Sequence, residues 1–182
     1  MNFRLVYCCI IIIIASCKND LEVVNSLTKV NSMPDISGEN VEIIYTDSST
    51  IKLKMVAPLL LRFNRVKEPY YEFPKGLHVY NYDRKKQLIS DIVSDYAIYY
   101  ELKKQWLVKK NVIAHNFQKN EQLNTEELIW DEGHAKIYSD KFVRITNSSG
   151  IFYGEKGFEA DQDMNRWKLI GSKGTLHVKN KE

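Results

Sequence analysis

The sequence predicts an all-β fold, an open, elongated β-sandwich or jelly roll of antiparallel strands. Three observations carry that expectation. Beyond about Asn40, apolar and polar residues alternate with period two, as in strands with one buried and one wet face. Short polar breaks of hairpin type separate the alternating runs. A weak repeat of about thirty residues makes each unit a strand, a polar turn and a second strand.

Composition agrees. The 182 residues suit one domain with a proper core, and 44% apolar with 27% charged residues argue against disorder and a multi-span membrane protein. A net charge of +3 without a concentrated basic block is not the footprint of a nucleic-acid binder. Aromatic residues make up 12%, eleven of them tyrosine, a strand-favouring residue. All three cysteines, Cys8, Cys9 and Cys17, lie at the N-terminus, which leaves the domain without a disulfide framework or a thiolate metal site.

In chain order, residues 1–16 are expected to be a lipoprotein signal peptide. Met1-Asn2-Phe3-Arg4 carries one positive charge, and Leu5 to Ile14 is an uninterrupted apolar run. At 1.5 Å per residue that run is too short for a hydrocarbon core about 30 Å thick, and it has the length and flanks of a signal-peptide core. It ends in Ile14-Ala15-Ser16-Cys17, which resembles a bacterial lipobox, so Cys17 is the expected lipidation site and the membrane anchor. The alternatives are a short buried element or an ordinary secretory signal with an incidental cysteine. Residues 17–39 are the lipidated N-terminus and a polar tether, and residues 40–182 the β-domain.

Within the domain, Ile51, Leu53 and Met55 alternate with Lys52 and Lys54, and Ala135 and Ile137 with His134, Lys136 and Tyr138. Val143 and Ile145 alternate with Phe142, Arg144 and Thr146, Trp167 and Leu169 with Arg166 and Lys168, and Leu176 and Val178 flank His177. The breaks fall at Asp47-Ser48-Ser49, Asp83-Arg84-Lys85, Asp131-Glu132-Gly133, Asn147-Ser148-Ser149-Gly150 and Asp161 to Asn165. All four prolines lie between positions 34 and 74, as long paired strands afterwards require. Residues 87–102 fit two patterns, because Leu88, Ile92, Tyr96 and Tyr99 also have helical spacing; the Ile, Val and Tyr content and the repeat favour strands. In the repeat, Ala97 to Tyr100, Leu128 to Asp131 and Phe158 to Asp161 match, and each is followed at the same interval by Trp106, Ile137 and Trp167.

Little in the chain can carry chemistry. Four histidines are scattered with no HxH or HxxxH pair, so no metal site and no cofactor are expected. Asp161 to Asn165 mimics the start of a calcium loop, but Arg166 stands at the sixth position and Ser172 at the twelfth, so it reads as a turn. No phosphate loop, nucleophile elbow or distinguishable carboxylate pair is present, and no catalytic residue is assigned; the chain is not expected to be an enzyme. The remaining candidate is an apolar stripe: Tyr99, Trp106, Val108, Trp130, Ile137, Val143, Ile145, Phe158, Trp167 and Leu169. Two readings fit it, an ordinary sandwich core or the inner face of an open sandwich that shelters acyl chains from water. Periodicity alone does not separate them.

Three stretches resemble one family. Tyr71-Glu72-Phe73-Pro74-Lys75-Gly76-Leu77, Leu123-Asn124-Thr125-Glu126-Glu127-Leu128-Ile129-Trp130-Asp131 and Gly154-Glu155-Lys156-Gly157-Phe158-Glu159-Ala160-Asp161 are similar to LptC, closest to its Bacteroidetes-type lipoprotein form. The likeness runs from about Asn40 to Val178. It implies a twisted, OstA-like jelly roll open along one side, and no catalysis. It implies a bridge that receives lipopolysaccharide from the ATP-driven LptB–LptF–LptG transporter and passes it to an LptA-like periplasmic protein. Acyl chains would lie on the inner face, partners would join by edge-strand addition, and Lys103-Lys104 and Lys109-Lys110 would be candidates for lipid A phosphates. Gly154, Gly157, Phe158 and Asp161 form the structural motif, with Gly157 expected at positive φ or at a close backbone approach. Enterobacterial members carry a transmembrane helix where this chain has the lipobox-like segment, so the implied location is the periplasmic face of the inner membrane, with the outer membrane left open. The competing readings are an envelope lipoprotein whose sandwich is a glycan-binding or adhesive module, and an envelope hydrolase.

Overall fold

The computed structural model describes residues 33–47, 50–162, 164 and 166–176. The expected signal peptide, Cys17, the part of the expected tether up to residue 32, and His177 and Val178 lie outside the described residues. Twelve strands follow one another: β1 (Ile36–Asp47), β2 (Thr50–Phe63), β3 (Tyr70–Phe73), β4 (Leu77–Tyr82), β5 (Leu88–Ser94), β6 (Tyr96–Tyr100), β7 (Gln105–Asn116), β8 (Glu121–Asp131), β9 (Lys136–Ser139), β10 (Val143–Asn147), β11 (Gly150–Asp161) and β12 (Trp167–Leu176). All pairings are antiparallel, and the described residues contain no helix. The all-β expectation holds, including strands rather than a helix across residues 87–102.

The sheet folds on itself because six long strands pass from one half of the sandwich to the other. In the first half, β1 and β2 continue through β4, β5, β7, β8, β10 and β11 to β12; in the second they continue through β3, β6, β7, β8, β9 and β11 to β12. Pairing is interrupted where the long strands cross. Asn40, at φ 50°, faces Pro58, so a proline sits inside a long strand at the position where the ladder breaks. In β7 the consecutive left-handed residues Lys110 and Asn111 oppose Glu126 alone, forming a bulge that redirects both strands. The Asp95 N–H donates to the Lys110 carbonyl at 3.0 Å, and the Asn111 amide donates to the Asp95 carboxylate, fixing that corner. In β11 the register shifts between Gly154 and Gly157.

Both halves turn the same set of alternating residues inward. One core cluster contains Ala57, Leu77, Val112, Leu123, Val143 and Ile145 from the first half, and Phe73, Ala97, Val108, Leu128, Ile137, Phe158 and Ala160 from the second. The thirty-residue repeat is a repeated hairpin register: Tyr99 faces Trp106, Trp130 faces Ile137 and Ala160 faces Trp167. Phe63 and Tyr70 form a fourth such pair at the same separation, hidden in the sequence by the charged linker and Pro69 between them. Ala135, placed on a strand by alternation, instead occupies the β8–β9 turn at φ 52°, with its N–H bonded to the Glu132 carbonyl.

A polar clasp secures the start of β1. The Asp35 carboxylate accepts from the Asn64 N–H at 2.6 Å and pairs with the Arg65 guanidinium at 2.8 Å. The Asn64 bond, with Arg65 beside it, holds the carboxyl below the usual aspartate range. A depressed folded-state pKa contributes stability above the unfolded value of about 3.9, lost as pH falls through the folded value. Protection of the Asn64 and Arg65 amides from hydrogen exchange is therefore expected to fall below about pH 4. Asp35→Asn should lose that pH dependence; protection that stays flat in the parent chain through this range would refute the clasp.

Candidate functional site

Cross-strand register lines up the inner face in unbroken rows. In the first half, one row runs Ile43, Met55, Val79, Ile92, Ala114, Leu123, Ile145, Phe152 and Gly174. In the second, a row runs Ile36, Arg62, Tyr71, Tyr99, Trp106, Trp130, Ile137, Ala160 and Trp167. Each row crosses from β1 to β12. Among the described residues β1 bonds only to β2 and β12 only to β11, so both rows end at free edges.

All ten stripe residues occupy inward positions. Tyr99, Trp106, Trp130, Ile137 and Trp167 share the second-half row; Val108, Phe158 and Leu169 stand on the row beside it; Val143 and Ile145 belong to the first half. They differ in burial. Val143, Ile145 and Phe158 are fully buried and Val108 and Ile137 nearly so, whereas Tyr99, Trp106, Trp130, Trp167 and Leu169 are half-buried. Ring contacts knit the half-buried set: Tyr99 stacks on Trp106 at 4.6 Å, Trp106 on Phe73 at 5.9 Å, and Phe152 meets Trp167 edge-on across the two halves. The inner face thus combines a sealed seam near the strand crossings with an apolar margin that still meets solvent.

Polar groups bound that margin. In the first half the next row is Tyr45, Leu53, Asn81, Ser90, Asn116 and Glu121, polar from Asn81 onward, with the Asn81 amide donating to Ser90 Oγ at 3.3 Å. In the second, Arg62 pairs with Glu101 at 3.2 Å and lies over the Tyr71 ring, and the Trp106 indole N–H donates to Glu132 at 2.9 Å. Burial and the nearby Glu132 push the Tyr99 phenol pKa upward, so its hydroxyl stays protonated. Of the four lysines singled out, Lys103 pairs with Glu68, Lys109 with Glu127, and Lys110 lies over the Tyr96 ring.

The stripe chosen from the sequence omits Tyr71, Met55, Val79, Ile92, Ala114, Leu123 and Phe152, which complete the rows, although Met55 had been read as alternating. Tyr71 and Leu123 lie in resemblance stretches, and the others stand at alternating positions of their strands. The histidines are less scattered than the sequence suggests. On the outer face Asp91, about 9% exposed, bridges His78 Nε2 at 2.8 Å and His115 Nδ1 at 2.7 Å. No sequence signal could have found this, since strand register alone brings the three together. The cluster holds no nucleophile, and among the described residues no group of three or more His, Cys, Asp or Glu is placed to hold a metal. The Asp161 stretch is a turn, with the Met164 N–H bonded to the Asp161 carbonyl at 2.9 Å and the Asp161 N–H to the Arg166 carbonyl at 3.1 Å.

Gly157 in the resemblance motif has φ +129°, and a Cβ there would lie 2.3 Å from the Ser139 carbonyl oxygen. A Cβ on Gly154 would lie 2.3 Å from the Gly157 carbonyl oxygen. These contacts let β11 pass from one half to the other while bonded on both sides.

Among the described residues no helix is long and apolar enough to cross a membrane. Comparison with curated proteins gave no match. Comparison with protein families matched residues 5–177 to the family described as Lipopolysaccharide-assembly, LptC-related. That match spans nearly the whole chain and includes both inner rows and the Gly154–Asp161 motif. The chain therefore belongs to the LptC family, and its role lies in lipopolysaccharide transport in the cell envelope.

Proposed function

We propose that the chain is a bridge: it receives lipopolysaccharide from an LptB–LptF–LptG transporter and passes it to an LptA-like periplasmic protein. Cys17 carries the lipid that anchors it at the periplasmic face of the inner membrane. The acyl chains lie along the inner face, and the charged part of the lipid stays at the polar margin. One observation carries this reading: the inward rows run from one free edge to the other, apolar throughout in the first half and interrupted only by Arg62 near the β1 edge in the second. A partner strand added to β1 or β12 would use the unpaired backbone groups there and extend the same rows into the next molecule. Hydrophobic transfer supplies the driving force, about 0.8 kcal/mol for each CH₂ sheltered.

A charge in the middle of a row tests this. Ala114 is half-buried between Ile92 and Leu123, so a long cationic side chain can reach water without unfolding the sheet. Ala114→Arg is expected to keep a cooperative melt and to lower the lipopolysaccharide co-purifying with the full chain by about tenfold. A folded variant that carries as much lipopolysaccharide as the parent would contradict the reading.

A further inference from the structure

Two buried side-chain polar atoms have no hydrogen-bond partner among the described residues, Ser94 Oγ and the Trp130 indole Nε1. Both residues take inward positions. Ser94 stands opposite Leu77, about 4% exposed, in the sealed seam beside the strand crossings. Trp130 stands one row further out, between Trp106 and Ile137, with a half-buried ring. Its neighbour Trp106 is the contrast: on the same row, its indole N–H is satisfied by Glu132 at 2.9 Å.

An unpaired buried donor raises the energy of the arrangement that contains it, because it has given up water and gained nothing. An occupant that offers an acceptor there is favoured over the arrangement in which the donor stays unpaired. The partners of Trp130 along the row are Trp106 and Ile137, so the occupant that fits there is a largely apolar chain with an oxygen near one end. We propose that the Trp130 indole N–H donates a hydrogen bond to an oxygen of the bound lipid's acyl region, an ester or amide carbonyl or a chain hydroxyl. That bond fixes how far the chain slides along the inner face. The proposal rests on the inner face being the lipid path and adds a fixed polar anchor point to it. Ser94 lies too deep in the seam to share this role.

The chain has three tryptophans, Trp106, Trp130 and Trp167, so indole ¹⁵N labelling of the full chain in detergent micelles gives three resolvable N–H signals. Purified lipid A is the probe. On titration the Trp130 indole proton is expected to move downfield and exchange more slowly with solvent, while that of Trp106, already bonded, moves little. Trp130→Phe is expected to weaken lipid A binding about fivefold, and Ser94→Ala to leave it unchanged. Saturable binding with the Trp130 signal unmoved would overturn the anchor and leave the lipid path standing. Absence of lipid A binding by the parent chain would overturn the lipid path, and the anchor with it. The titration of the parent chain decides the matter even where the Phe variant fails to fold.

Discussion

Gly157→Val is expected to lower the melting temperature of the domain by about 10 °C, from a loss of about 3–5 kcal/mol. Two costs add. The backbone at φ +129° lies where β-branched residues are not accommodated, and the new Cβ would sit 2.3 Å from the Ser139 carbonyl oxygen. That oxygen belongs to backbone, so it cannot swing aside as a side chain would. Gly157→Ala should share most of the loss, because the first carbon beyond Cα makes the collision. Thermal unfolding followed by circular dichroism gives the answer, and a Val variant melting within a degree or two of the parent would show that β11 does not depend on this close approach.

The second large effect is expected at Phe158. Its side chain is fully buried in the seam, in register with Ser139 on one side and Leu169 on the other. Phe158→Ala removes a ring that close-packed neighbours only partly replace, at a cost of about 3–5 kcal/mol. The adjacent residue is the internal control. Glu159 faces outward and pairs with Lys168 at 2.8 Å on an exposed surface, so Glu159→Ala should change stability by about 0.5 kcal/mol or less. Urea unfolding of the two variants distinguishes the faces of β11 directly. Equal losses at the two positions would mean that the inward and outward assignments are wrong.

Much of the fold was legible because period-two alternation and polar breaks are local signals. Trp167 and Leu169 announce their face within four residues, and the Asp83-Arg84-Lys85 break marks its turn without help from elsewhere. The repeat went further. Its equivalent positions pair across three hairpins in one common register, so a weak likeness between segments reported a three-dimensional regularity. Residues 87–102 illustrate the opposite case. The helical spacing of Ile92, Tyr96 and Tyr99 is an accident of a chain that changes halves at Asp95: Ile92 and Tyr99 point inward in different halves, while the Tyr96 hydroxyl donates to Glu72 on the outside.

The site was less legible, since its content is relational. The stripe residues could be selected as apolar and alternating, but burial separates sealed core from open margin, and burial follows from where the long strands bend. Those bends rest on Pro58 opposite Asn40, on Lys110 and Asn111, and on Gly157. Pro58 and Gly157 carry conventional marks in the sequence, whereas Lys110 carries none. The His78–Asp91–His115 bridge and the unpaired Trp130 N–H depend wholly on register and packing, and neither has a local signature.

The central claim is that lipid travels along the inner face. A photo-crosslinking residue at position 106 or 167, in cells making lipopolysaccharide, tests it most directly. Position 168 is the control, because Lys168 points outward from the same strand as Trp167. The account predicts lipopolysaccharide adducts at 106 and 167 and none at 168. A folded, correctly anchored protein with no adducts at 106 and 167 would contradict it and leave the aromatic rows as core alone.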